Sequence, residues 1–197
     1  MKRLDIPGVS GKLEAILDLP DGCNQCVVLC HPHPMYGGTM DDHVVSNMAS
    51  AIIASGIGVV RFNFRGVGTS EGTHDKGRGE TDDLLAVADY LKQQCGVTSI
   101  IVGGYSFGAV VALNAIEKTN AVSAILVAPP VKVMDTGATP DIPTLVVLGE
   151  LDDIVDVTQT AEFFNQASVT VIKNADHFFA GADSEIQNCI EEFIGGS

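Results

Sequence analysis

A chain of 197 residues, 46% hydrophobic and 18% charged, can bury a core as one domain spanning positions 1–197. Its formal net charge of -14 argues against nucleic acid and anionic membrane as partners, because such a field repels phosphate. No apolar run is long enough to span a bilayer, and Asp5 and Pro7 interrupt the basic amino terminus before a targeting segment forms.

From Lys2 to Leu19 the pattern is an antiparallel hairpin. Leu13, Ala15, Leu17 and Leu19 alternate with Lys12, Glu14 and Asp18, and Gly8 and Gly11 supply the turn. Cys26–Cys30 (CVVLC) is a continuous apolar run, suited to a strand buried on both faces of a parallel sheet. His31-Pro-His-Pro-Met-Tyr-Gly-Gly follows, and its prolines and glycines predict an irregular loop at the strand end. Three-to-four spacing of Val44, Val45, Met48, Ala51 and Ile52 predicts a helix capped by Thr39, Asp41 or Asp42.

Ile57–Phe64 reads as the next buried strand. The glycine-rich loop after it, Arg65 to Gly72, is not a dinucleotide fingerprint, since Glu71 stands where the third glycine is needed. A helix is predicted from about Glu80 to Gln94, whose carboxylates Glu80, Asp82 and Asp83 offer Arg65 an ion pair in preference to an anionic ligand. His43 and His74 read as surface residues. A strand then runs into Gly104-Tyr-Ser-Phe-Gly108 and a helix of small residues from Ala109. Strands follow at Val122–Ala128, Thr144–Leu148 and Val169–Ile172, with helices near Thr158–Gln166 and Ser184–Ile194. Alternation of this kind predicts a mostly parallel sheet with helices on both faces. The short segment between Ala128 and Thr144 leaves no room for a lid domain.

Five cysteines, an odd number without framework spacing, indicate reduced thiols and a cytoplasmic location. Cys23, Cys26 and Cys30 lie near His31 and His33, but no second ligand cluster accompanies them, so no metal is expected. No other cofactor is expected either.

G-x-S-x-G between a strand and a helix is the pattern of a nucleophile elbow, which exposes Ser106 at the sheet edge. A serine hydroxyl needs a base, and the base needs a carboxylate to fix its tautomer. On such a sheet these follow the serine in the order acid, then histidine. His177 is the one histidine downstream of Ser106. The acid lies among Glu150, Asp152, Asp153 and Asp156. An oxyanion would be held by the amide of Phe107 and by one from the His-Pro loop. Pro32 and Pro34 carry no N–H, leaving His33, Met35 or Tyr36, of which His33 is favoured. His31 and His33 are expected to fix this loop, and Phe178 and Phe179 to pack beside the base and line an acyl pocket.

HPHPMYGGTMDD, VVRFNFRGVGTSEG, GGYSFGA, GELDDIV and NADHFF together resemble the α/β-hydrolase superfamily, and within it the small lidless bacterial hydrolases related to dienelactone hydrolases. The resemblance implies an α/β-hydrolase fold of about seven to eight strands. It assigns the acid to Asp152, three residues past Gly149, with Asp153 as the spare. It also implies ester hydrolysis on a small-molecule acyl substrate. Thioesterase or small-peptidase activity, or a noncatalytic binding role on the same scaffold, are the alternatives. Dienelactone hydrolase itself uses a cysteine nucleophile, so its substrate does not transfer.

Overall fold

The computed structural model describes residues 1–196. One eight-stranded sheet forms the centre, in the order β1-β2-β4-β3-β5-β6-β7-β8. The hairpin strands β1 (Lys2–Gly8) and β2 (Gly11–Asp18) are antiparallel, and β2 joins β4 (Gly58–Phe62) antiparallel. From there every pairing is parallel, through β3 (Gln25–Cys30), β5 (Ser99–Tyr105), β6 (Ser123–Val127), β7 (Thr144–Gly149) and β8 (Ser168–Ile172). Val27, Val28, Leu29, Val102, Leu126, Val146 and Val147 are fully buried, as strands covered on both faces require.

The helices are α1 (His43–Ala54), α2 (Arg78–Gln94), α3 (Phe107–Thr119), α4 (Val157–Phe163) and α5 (Asp183–Gly195). Helix α1 packs on α5, and α2 on α3, so two helical layers sandwich the sheet. No helix among the described residues is long and apolar enough to cross a membrane.

Several details differ from the sequence pattern, among them the helix expected to Gln166, which ends at Phe163. The expected strand from Ile57 to Phe64 ends at Phe62, because the next two amides find other partners: Asn63 N–H donates to the Glu14 carbonyl (2.8 Å) and Phe64 N–H to His31 Nε2 (3.1 Å). Helix α2 begins two residues early. Gly77 adopts φ 97° as its N-cap, and Glu80 Oε2 reaches back to accept from the Gly77 N–H at 2.7 Å. The His-Pro loop contains one 3₁₀ turn, Pro34–Tyr36, with Pro34 at its first position, where its missing N–H is no loss. Of the three capping candidates for α1, Asp42 is the cap, accepting from Val44 N–H (2.9 Å) and Val45 N–H (3.4 Å).

Arg65 pairs with Asp83, one of its three expected carboxylate partners. Its guanidinium grips Asp83 through Nε (3.1 and 3.0 Å) and Nη2 (2.8 Å), and its own N–H donates to Asp83 Oδ2 at 3.0 Å. Both side chains are buried, which ties the loop after β4 to α2. Removing one partner strands a charge away from water. Asp83→Ala should therefore lower unfolding free energy by about 3–5 kcal/mol, and the double change Arg65→Met/Asp83→Leu should recover most of it, both read from urea denaturation.

Candidate active site

Ser106 sits between β5 and α3 with φ 54° and ψ -120°, a backbone region that a side chain disfavours. The flanking glycines make this turn possible. A Cβ on Gly104 would stand 2.5 Å from the Gly108 carbonyl, and one on Gly108 would collide with the carbonyl oxygens of Cys30 and His31. Ser106 N–H donates to the Val127 carbonyl at 2.8 Å, which ties the turn to β6.

The loops after β7 and β8 come together by a second close approach. A Cβ on Gly149 would lie 2.6 Å from the carbonyl oxygens of Ala175 and Asp176. Leu151 N–H donates to the Ala175 carbonyl (2.8 Å) and Asn174 N–H to Glu150 Oε2 (2.9 Å). These contacts bring the side chains of Asp152 and His177 into register.

His177 Nδ1 lies 2.8 Å from Asp152 Oδ2, and His177 Nε2 lies 3.0 Å from Ser106 Oγ. Facing a carboxylate, Nδ1 carries the ring proton, leaving the Nε2 lone pair to accept from the serine hydroxyl. Asp152 Oδ1 accepts from Ile154 N–H (2.9 Å) and Val155 N–H (2.7 Å). Burial works against the charge of Asp152, but the hydrogen bonds from His177, Val155 and Ile154 outweigh it and hold the carboxyl below its usual range. The other carboxylates are engaged differently. Glu150 braces Asn174, Asp156 caps α4 by accepting from Gln159 N–H (2.9 Å), and Asp153 is exposed without a hydrogen bond among the described residues.

Phe107 is the first residue of α3, so its N–H has no partner within the helix. In the His-Pro loop, Met35 N–H already donates to His33 Nδ1 (3.1 Å) and Tyr36 N–H to the His33 carbonyl (3.0 Å). The His33 amide has no such partner among the described residues. The loop is fixed from behind by His31, fully buried, whose Nδ1–H donates to the Pro32 carbonyl (2.7 Å) while Nε2 accepts from Phe64 N–H. The cysteines face elsewhere: Cys26 and Cys30 are buried in β3, and Cys23 Sγ donates to the Gln25 carbonyl. Among the described residues no three His, Cys, Asp or Glu side chains are grouped as a metal site requires.

Several contributors were not legible in the sequence. Tyr105, the variable residue of the pentapeptide, donates its buried hydroxyl to the His177 carbonyl at 2.9 Å and so braces the histidine loop. His74 is not a plain surface residue: its ring packs against His33 and Phe107 and its Nδ1 lies 2.8 Å from Glu80 Oε1, off hydrogen-bonding alignment. Phe178 packs on the His177 ring and lines the cleft as expected, but Phe179, expected beside it, turns through φ 54° into the core against Tyr105 and does not line the cleft. No periodicity encodes these contacts: all but those between His74 and Glu80 and between His177 and Phe178 span dozens of residues.

The cleft over Ser106 encloses about 650 Å³ between the His-Pro loop, the histidine loop and Pro130, Val133 and Met134. The segment after β6 that supplies these last three runs along the rim. Tyr36, Val133, Ile154 and Phe178 are exposed around the mouth.

Residues 26–140 match the family described as alpha/beta hydrolase fold. The crystal structure of an α/β serine hydrolase without a lid from Xanthomonas campestris is 32% identical, with a TM-score of 0.94 over 99% of this chain and 94% of that one. A structure of an α/β serine hydrolase homologue from Coxiella burnetii is 34% identical, with a TM-score of 0.90 over 97% and 96% of the two chains. An uncharacterized protein from Rickettsia prowazekii is 30% identical, covering 98% of this chain and 89% of its own length.

His31 makes the loop acid-sensitive. Burial lowers its pKa from 6.5 to about 4, so the folded protein holds it neutral while an unfolded chain would bind a proton. Its contribution is complete above pH 6.5 and is lost as pH falls toward 4, about 3 kcal/mol over the interval. Urea midpoints measured across this range should fall on acidification, and His31→Gln should flatten the slope.

Proposed function

We propose that this chain, which belongs to the alpha/beta hydrolase family, is a serine carboxylesterase acting on small soluble esters. The observation that carries the reading is the unbroken line from Ser106 Oγ through His177 to Asp152, at 3.0 and 2.8 Å. The serine hydrolases of Xanthomonas and Coxiella support it.

In this mechanism Ser106 Oγ attacks the ester carbonyl as His177 Nε2 takes its proton. The carbonyl oxygen becomes an alkoxide, held by the amides of Phe107 and His33, each such donor contributing roughly a hundredfold to a thousandfold in rate. Asp152, kept ionised by its hydrogen bonds, stabilises the imidazolium and does not itself take the proton. Collapse of the tetrahedral intermediate breaks the bond to the alcohol, which leaves with the proton from Nε2. Water, deprotonated by the same nitrogen, then attacks the acyl-Ser106 ester, and the carboxylic acid is released with the serine restored. Tyr105 positions His177 through its backbone carbonyl. None of these steps calls on a cofactor. The open rim suits short acyl groups, and unpaired cysteines support a reducing, cytoplasmic setting.

A fluorophosphonate probe should label the wild-type protein on Ser106, not Ser106→Ala, and only weakly His177→Ala. No label on folded protein would make the scaffold a binding module instead. With p-nitrophenyl acetate or butyrate, Asp152→Asn should lower kcat by about 10⁴-fold through the wrong tautomer of His177, while Asp153→Asn stays near wild type. Parallel thioester and peptide substrates separate the related activities, and preference for long-chain triglycerides over short esters would overturn the assignment.

A further inference from the structure

The cleft at Ser106 continues beyond the proposed oxyanion loop. His33, Tyr36, Phe107, Val133 and Met134 are shared with a second cleft of about 740 Å³ that extends between α2 and α3. The partition between the two is thin: a Cβ on Gly77, in the second cleft, would lie 3.9 Å from the ring of Phe107.

This second cleft reverses the sign of the protein. The whole chain carries 11 Lys and Arg against 25 Asp and Glu. Here Lys76, Arg78 and Lys118 stand against two carboxylates, Asp82 and Asp135. Elsewhere Arg3, Lys12, Arg61 and Arg65 each lie against a carboxylate and Lys92 donates to the Thr119 carbonyl, while Lys2, Lys132 and Lys173 stand apart from this cleft. Among the described residues the side chains of Lys76, Arg78 and Lys118 make no ion pair or hydrogen bond with the protein. Lys76 and Arg78, two residues apart at one end of a cleft that adjoins Ser106, are placed for an external anion in an otherwise acidic molecule.

The backbone that presents two of them is held under strain. Lys76 has φ 55°, a left-handed conformation that a side chain disfavours, and Gly77 follows at φ 97°. Glu80, fully buried, fixes this turn by accepting from Asp75 N–H (2.8 Å) and Gly77 N–H (2.7 Å). Lys118, twelve residues along α3 from Ser106, stands about 18 Å down that helix, at the far end.

We propose that Lys76 and Arg78 form a subsite for an oxyanion, a carboxylate or phosphate, carried by the ester that Ser106 attacks, with Lys118 reached by longer substrates. This rests on the serine-esterase reading and narrows it to anionic esters. Lys76 and Arg78 determine specificity here and take no part in the bond-making steps.

Two substrate pairs test it on the full-length protein. Mono-p-nitrophenyl succinate against its methyl ester places the charge on the acyl side. 4-Carboxyphenyl acetate against its methyl ester places it on the alcohol side. In one pair the charged member should have a kcat/KM about tenfold higher, as charge-assisted hydrogen bonds would give. The double variant Lys76→Asn/Arg78→Gln should bring the charged-to-neutral ratio toward one, chiefly through KM; asparagine tolerates the left-handed backbone at position 76. Preference for the neutral member in both pairs, or a ratio that the variant does not move, overturns the proposal.

A readout without turnover separates the two readings. Succinate and inorganic phosphate should raise the Tm of the wild type and of Ser106→Ala but not of the double variant, and whichever anion acts at lower concentration identifies the group. Absence of this shift in wild type also overturns the subsite. Failure of fluorophosphonate labelling with the shift intact removes the esterase reading and leaves an anion-binding cleft.

Discussion

The arrangement around Ser106 depends on a backbone contact that only glycine permits. The first turn of α3 lies directly against the Cys30 and His31 carbonyls, with Gly108 at the point of contact. Any side chain there would separate the helix from the loop after β3. In the proposed mechanism the amides of Phe107 and His33, which are to hold one oxyanion, would then be drawn apart. Gly149 does the same for the other half of the site, letting the loops after β7 and β8 touch. The functional groups are thus positioned by the sheet through two main-chain contacts, and the side chains add only the final orientation.

Electrostatics completes that orientation. Asp152 is buried yet ionised because three hydrogen bonds replace its lost water, and His31 is buried yet harmless because it stays neutral. One keeps its charge to hold a tautomer. The other gives up its charge so that a ring nitrogen can accept from Phe64 N–H. The difference lies in the partners each side chain meets, since both are removed from solvent.

Much of this was legible in the sequence because it is local. Continuous apolar runs such as CVVLC announce strands buried on both faces, and the pentapeptide at Ser106 announces its own turn. The order of Ser106, Asp152 and His177 along the chain follows from one loop per strand end. What escaped depends on distant partners. Phe64 looks like strand until His31, thirty-three residues earlier, takes its amide. Tyr105 occupies a position where the motif admits any residue, and its role exists only because the His177 carbonyl lies above it. Arg65 had three carboxylates within sequence reach, and only the fold selects Asp83. His74 carries no local sign that Glu80, His33 and Phe107 will surround it.

The segment between β6 and β7 follows the rim of the cleft and leaves the approach to Ser106 uncovered. A covered site must open and close in each cycle, and such motion often limits turnover. In the proposed mechanism substrate, hydrolytic water and product would share the one cleft over Ser106. In that mechanism no lid motion then stands between one turnover and the next. The same openness leaves water in contact with the walls, and selectivity has to come from fixed charges and shape, with no closure to complete the fit.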